Sequence, residues 1–250
     1  MNQYKKLVMI ALIFPFLKCA SVGEKYVEAA ADGNISEMEA LSQKNGDLTN
    51  AREDRNWTAL IAASSLGKID IVKYLVKKKA KLNLRTNLGD TAIYRASANG
   101  HTDIVKFLLE SGATPNIRDK KGDSCLIKAS SKGHTDVMRV LLDARINPNE
   151  IRIPNIDATT PIIAAAAEDR IEAIKLLIKY KADINARNHN GDSALSIAAS
   201  LGRIQAVRLL IESGANLNNV SLFGLTPLNH AEENGFKEIV LELQKAGAKE

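Results

Sequence analysis

Cysteine is nearly absent from this chain, with two in 250 residues. That scarcity excludes a disulfide-framed scaffold, a multi-cysteine zinc site and an iron–sulfur centre. Histidine is almost as rare, and His101, His134, His189 and His230 are scattered with no HExxH or related metal-ligand spacing. Aromatic residues make up only 4% of the chain, with Trp57 the single tryptophan. Long apolar runs are missing too: the uncharged stretch Leu7–Leu17 has eleven residues, enough as a helix for about half of a ~30 Å hydrocarbon core. What remains is 45% apolar and 25% charged, a globular composition that excludes intrinsic disorder.

The formal charge of +5 is concentrated at the start. Lys5 and Lys6 precede the apolar stretch and Lys18 follows it, the arrangement of an export signal over residues 1–18. Without those residues the chain has 31 basic and 29 acidic side chains, so the balance gives little reason to expect a nucleic-acid partner. Cys19, which ends the run, resembles the lipid-attachment cysteine of bacterial lipoproteins, although Lys18 stands where a small residue is usual. Cleavage after Ser21 or Gly23 would instead release a soluble protein. The expectation is an exported chain, lipid-anchored in the periplasm or at the outer membrane, with soluble export or secretion as the alternative.

Beyond the signal, one unit is copied along the chain. Ser or Thr recurs at 58, 91, 124, 160, 193 and 226, at intervals of 33, 33, 36, 33 and 33. Glycine follows nine residues later at 67, 100, 133, 202 and 235, with Asp169 in the remaining slot. Such a period must be recognised before single elements are assigned. Ser or Thr is a preferred helix N-cap, and Pro161 and Pro227 suit the first helical position because their missing N–H is not needed there. Leu195, Ala198 and Ala199 then form a slim apolar stripe, and glycine ends the helix in a left-handed conformation that Asp also tolerates. A second helix with Ile204, Val207, Leu210 and Ile211 follows, closed by Ser213-Gly214-Ala215.

Thr226-Pro227-Leu228, Asn99-Gly100-His101-Thr102-Asp103-Ile104-Val105-Lys106-Phe107-Leu108-Leu109 and Ser111-Gly112-Ala113-Thr114-Pro115-Asn116 closely resemble the ankyrin repeat family. The resemblance runs from about Glu24 to the C-terminus. It implies an all-α solenoid of about seven helix-turn-helix units over 19–250, with β-hairpin fingers along one edge. The units fall near 24–52, 53–85, 86–118, 119–150, 151–187, 188–220 and 221–250. The first unit has no hairpin, and Glu232, Glu233, Lys237, Glu238, Glu242, Gln244 and Lys245 give the last a polar outer face. The His usual after the Leu of the opening signature is replaced throughout, which questions local rigidity. The long interval places three extra residues in a stretch near 147–156. This is either an enlarged binding finger or a tolerated surface insertion.

No nucleophile, acid–base pair or metal set lies outside the repeat slots, so a non-catalytic protein without cofactors is expected. Cys125 takes the proline slot of a cap, as a buried packing residue. Lys77, Lys78, Lys79 and Lys81 fall at a helix end, where cations suit the dipole and no aromatic residues interleave with them. The resemblance instead implies a monomer that binds a protein of unknown identity on its concave face, touching a membrane only through Cys19: a scaffold in the bacterial envelope, with a surface-displayed or secreted protein that binds a host protein as the alternative and an enzyme as a remote one. Carried over slot by slot, the finger residues are Asp54, Arg55 and Trp57; Asn87, Leu88 and Asp90; Lys120, Lys121 and Asp123; Ile156, Asp157 and Thr159; His189, Asn190 and Asp192; and Leu222, Phe223 and Leu225. Ser65, Leu66, Asn99, Ser131, Lys132, Glu168, Ser200 and Leu201 are the matching slots on the first helices.

Three features carry alternatives. Trp57 either anchors a partner or packs across the hairpin-less first unit. Leu222, Phe223 and Leu225 form either a binding patch or a plug on Leu217 and Val220. Asp90, Asp123 and Asp192 form either an acidic row for a basic partner or solvated finger charges.

Overall fold

Six Ser and Thr hydroxyls open six helices in the same way. The structure, a computed structural model, describes residues 20–152 and 157–249. Residues 1–18, expected above to be an export signal, together with Cys19 and Ile156 lie outside the described residues. Thr58, Thr91, Ser124, Thr160, Ser193 and Thr226 each accept the backbone N–H three residues on, at 3.1–3.4 Å. The helices so capped are α3 (Ala59–Ser65), α5 (Ala92–Asn99), α7 (Cys125–Lys132), α9 (Pro161–Ala167), α11 (Ala194–Ser200) and α13 (Pro227–Glu233). Each is followed by an outer helix: α4 (Ile69–Lys77), α6 (Thr102–Glu110), α8 (Thr135–Asp143), α10 (Ile171–Lys179), α12 (Ile204–Glu212) and α14 (Lys237–Lys245). Ahead of them α1 (Val22–Asp32) and α2 (Ile35–Asn45) complete seven pairs among the described residues. Ser21 and Glu24 form a reciprocal capping box at the start of α1.

The two helix classes bury different residues because they do different work. Inner helices carry alanines such as Ala63, Ala96, Ala129, Ala165 and Ala198, all fully buried, so that successive inner helices lie close together. Outer helices carry branched and long residues such as Ile71, Leu75, Ile104, Leu108, Met138, Leu141, Ile174 and Leu177, at most 2% exposed. Together they make one continuous core from Tyr26 to Leu243. No pair could bury its stripe alone, and each fully buried Leu or Ile adds about 1.5–3 kcal/mol.

Each inner helix stops at the expected slot. Gly100 has φ 79°, and Asp169 takes the same left-handed conformation at φ 54°. The next N–H returns to an alanine carbonyl in the helix, as in His101 to Ala96 and Arg170 to Ala165. Gly100 is required for space as well, since a Cβ there would lie 2.9 Å from the His134 ring. That ring reaches back across the unit boundary. His134 donates from Nε2 to the Ala98 carbonyl and His101 to that of Ser65, both at 3.1 Å. Arg170 and Arg203 use the same slot to reach the carbonyls of Ser131 and Ala167. These ties brace four inner helix ends, those of α3, α5, α7 and α9, against the next unit, where the missing signature His had left rigidity open.

The fingers are tight turns. Among the described residues strand pairing is limited to two isolated bridges, Arg52 with Thr58 and Arg187 with Ser193. Five fingers close by an N–H to carbonyl bond across four residues: Glu53 to Trp57, Thr86 to Asp90, Asp119 to Asp123, Asn188 to Asp192 and Ser221 to Leu225. In the remaining finger Arg152 donates to Thr159, a span of seven. The three extra residues of the long interval thus fall between Arg152 and Thr159. The last unit departs from expectation in one respect. Glu232, Glu233, Lys237 and Glu238 are exposed, but so is Leu241, at 54%, beside an apolar depression lined by Ala231, Gly235 and Val240.

Candidate protein-binding surface

Neighbouring fingers are bonded to one another. Asn87 donates its N–H to the Arg55 carbonyl, Lys120 to Leu88, His189 to Asp157 and Leu222 to Asn190, at 2.7–2.9 Å. This row fixes the backbone of the tips and leaves their side chains to the solvent. Asp54, Arg55, Asn87, Lys120, Lys121, His189 and Asn190 are exposed there, with Leu88 at 61%, Leu222 at 75% and Phe223 at 73%. Leu222 and Phe223 therefore do not plug Leu217 and Val220; the tip stands clear, and only Leu225 is half-buried.

The acidic row faces inward. Asp90, Asp123 and Asp192 are 3%, 4% and 6% exposed, so they are neither solvated charges nor a docking row. The reason is the slot itself. It sits at the finger base directly before the helix cap, and the same residue's backbone carbonyl accepts the bond that closes the finger. A buried carboxylate needs a partner, and each has one. Asp90 pairs with Arg95 at 2.5 Å, Asp123 with Arg152 at 2.6 Å and more loosely with Lys128 at 3.7 Å, and Asp192 accepts from His230 at 3.1 Å. Burial outweighs Arg95 and holds the Asp90 carboxyl above its usual range.

Trp57 is half-buried, packed on the core, with the Arg95 guanidinium 4.9 Å from its ring centroid. It thus belongs to a Trp57–Arg95–Asp90 stack that joins the second and third units, and it packs at the edge of the first unit as well. Cys125 is buried at the first position of α7, and burial pushes its thiol up to about 12.

Beneath the enlarged finger lies a groove of about 470 Å³. Ile163, Ala164 and Ala167 of α9 are part of its lining, with Lys121, Lys128, Arg152, Asp157 and Glu168. Arg152 grips both Asp123 and Asp157, which ties the two ends of the long loop to the preceding finger. Burial lowers the affinity of its guanidinium for the proton, but Asp123 and Asp157 together outweigh that effect and leave it above the usual value. Glu150 reaches the other way. It accepts from the Ser124 hydroxyl at the α7 cap and pairs with Arg118 at 3.4 Å, and burial raises its carboxyl. Sequence reasoning missed Arg95, Glu150 and Arg152. Only the pairing of a buried acid with a distant cation would have disclosed them, and that pairing is set by three-dimensional stacking. Among the described residues no cluster of His, Cys, Asp and Glu could hold a metal ion, and no helix is long and apolar enough to cross a membrane.

A family model described as "Ankyrin repeats (3 copies)" matches residues 27–119, 112–188 and 181–250. The chain belongs to the ankyrin repeat family. Among solved structures, the human ASB11 ankyrin repeat domain superimposes with a TM-score of 0.76 at 24% identity, covering 87% of this chain and 96% of that domain. At that identity the likeness is one of fold. No match to a curated protein was found. Ankyrin repeats are in general protein–protein interaction modules rather than catalysts, and the bonded fingers fit that use.

Proposed function

We propose that this ankyrin repeat chain is a non-catalytic scaffold that captures a partner protein on its concave finger and inner-helix surface. The observation that carries the reading is the fingertip row: a backbone fixed by bonds between units, with Leu88, Leu222 and Phe223 left open to solvent. A backbone fixed before binding lowers the entropic cost of association, and each exposed apolar side chain gains by burial against a partner. Export by residues 1–18 and a lipid on Cys19 would place this surface in a bacterial cell envelope as a monomer.

A photo-crosslinking residue at position 222, compared with one at the exposed Lys175 on outer helix α10, tests the binding face. Capture of a discrete protein from 222 alone, lost on Phe223→Ala with helicity and melting unchanged, is the expected result. The same products from both positions would refute the assignment. Labelled palmitate should enter the wild-type chain but not Cys19→Ala; its absence from both would remove the lipid anchor and leave the surface untouched.

A further inference from the structure

The concave face changes character along its length. In the fourth unit Lys120 and Lys121 at the fingertip and Lys132 at the end of α7 are exposed. The acids of the same finger are turned away. Asp123 is buried against Arg152, and Asp119 accepts the backbone N–H groups of Lys121 and Asp123 together with the Tyr94 hydroxyl. This block presents positive charge with no exposed acid of its own finger or inner helix to cancel it. Further along, apolar side chains stand out: Leu201 at the end of α11, two units on, is 45% exposed, and Leu222 and Phe223 at the fingertip three units on are about three-quarters exposed, with the acids Glu232 and Glu233 at the far end of α13 behind them.

We infer that the occupant of this face is a protein segment with an acidic block at one end and a large apolar side chain at the other. This rests on the reading that the concave face binds protein, and goes beyond it by naming the chemistry of the partner. Three unit steps of about one helix diameter, ~10 Å each, separate the two ends by roughly 30 Å. An extended chain rises ~3.3 Å per residue, so about nine residues lie between the acids and the apolar anchor. The lysines steer and orient such a segment, and the fingertip holds it. Between them the sixth finger offers His189 and Asn190, exposed and compatible with a plain polar spacer.

The probe is a fluorescein-labelled synthetic peptide with four acidic residues, a nine-residue Gly/Ser spacer and a Leu-Phe end, read by anisotropy against the purified protein at low salt. The expected pattern is tighter binding than for the same peptide with lysines in the acidic block. Lys120→Glu/Lys121→Glu should weaken it about tenfold, the effect of two unfavourable surface pairs. Phe223→Ala should weaken it separately, and cutting the spacer to three residues should match the loss of one end. Three results overturn the inference: no measurable binding, indifference to the charge of the block or to the lysine changes, or equal binding of a single-stranded oligonucleotide through the same lysines. Crosslinking from position 222 distinguishes the two levels of failure. A discrete partner captured there while the peptide fails leaves the binding face standing and removes only the partner's chemistry.

Discussion

Arg152→Ala isolates the device that holds the enlarged finger. Arg152 is 23% exposed and bonds Asp123, which is 6% exposed, and Asp157, which is 39% exposed. Removing one member of a buried ion pair costs about 3–5 kcal/mol, because the remaining charge is stranded. Lys128, already 3.7 Å from Asp123, can recover about half of that. The Asp157 contact is too exposed to add more than ~1 kcal/mol. The expected loss is therefore about 2–3 kcal/mol, concentrated at the fourth and fifth units because each unit contacts only its neighbours. Hydrogen exchange of peptides spanning 147–160 should speed up roughly 30- to 140-fold at the Arg152 to Thr159 closing bond, while peptides in α4 and α6 keep their wild-type protection. Arg152→Lys, which keeps the charge but loses the planar fork, should fall between. A double-mutant cycle with Asp123→Asn should give a coupling of about 1–2 kcal/mol. Stability within about 0.5 kcal/mol of wild type, with unchanged exchange in the finger, would refute the view that this pair anchors the loop.

Two further changes probe other buried features. Burial raises the carboxyls of Glu150 and Asp90 in the native state. The folded chain therefore binds their protons more tightly than the unfolded one, and stability contributed by these groups falls as pH rises from the ordinary carboxylate range through their raised native values. Glu150→Gln should flatten that part of the urea-derived stability profile and Asp90→Asn should flatten it further; a steeper profile in either variant contradicts the sign. Asp169 combines a left-handed φ of 54° with a carboxylate that accepts the Ala206 N–H at 3.0 Å. Asp169→Gly relieves about 1 kcal/mol of backbone strain and loses a bond of similar size, for a net change near zero, whereas Asp169→Ala keeps the strain and should cost about 1–2 kcal/mol in chemical denaturation.

The period in the sequence was enough to assign the helix pairs, since cap, stop and stripe recur at fixed offsets and each has a local physical cause. Thr58 and Thr226 cap their helices for the same reason wherever they stand, and Asp169 could be placed in a left-handed slot because that conformation depends on neighbours in the chain. Depth was not legible in the same way. Asp90, Asp123 and Asp192 share one slot and one spelling, yet their burial follows from the finger bending over the next helix, and their partners differ: Arg95 in the same unit, Arg152 across the enlarged loop and His230 from the following unit.

That difference explains why the irregular interval matters more than its length suggests. A regular finger closes across four residues, and its buried acid is met either from its own helix, as Asp90 by Arg95, or from the following unit, as Asp192 by His230. The long finger closes across seven, and Arg152 at its base bonds Asp123 of the preceding unit and Asp157 of its own. Glu150, just before it, reaches back to the cap of α7 through Ser124. The insertion is thus stitched to the fourth unit by an acid and a base on either side of one residue. Arg152, Asp157 and Thr159 line the groove beside α9, and Lys120 and Lys121 stay exposed outside the network of pairs. These pairs fix the base of the enlarged finger to the fourth unit, beside the exposed Lys120 and Lys121.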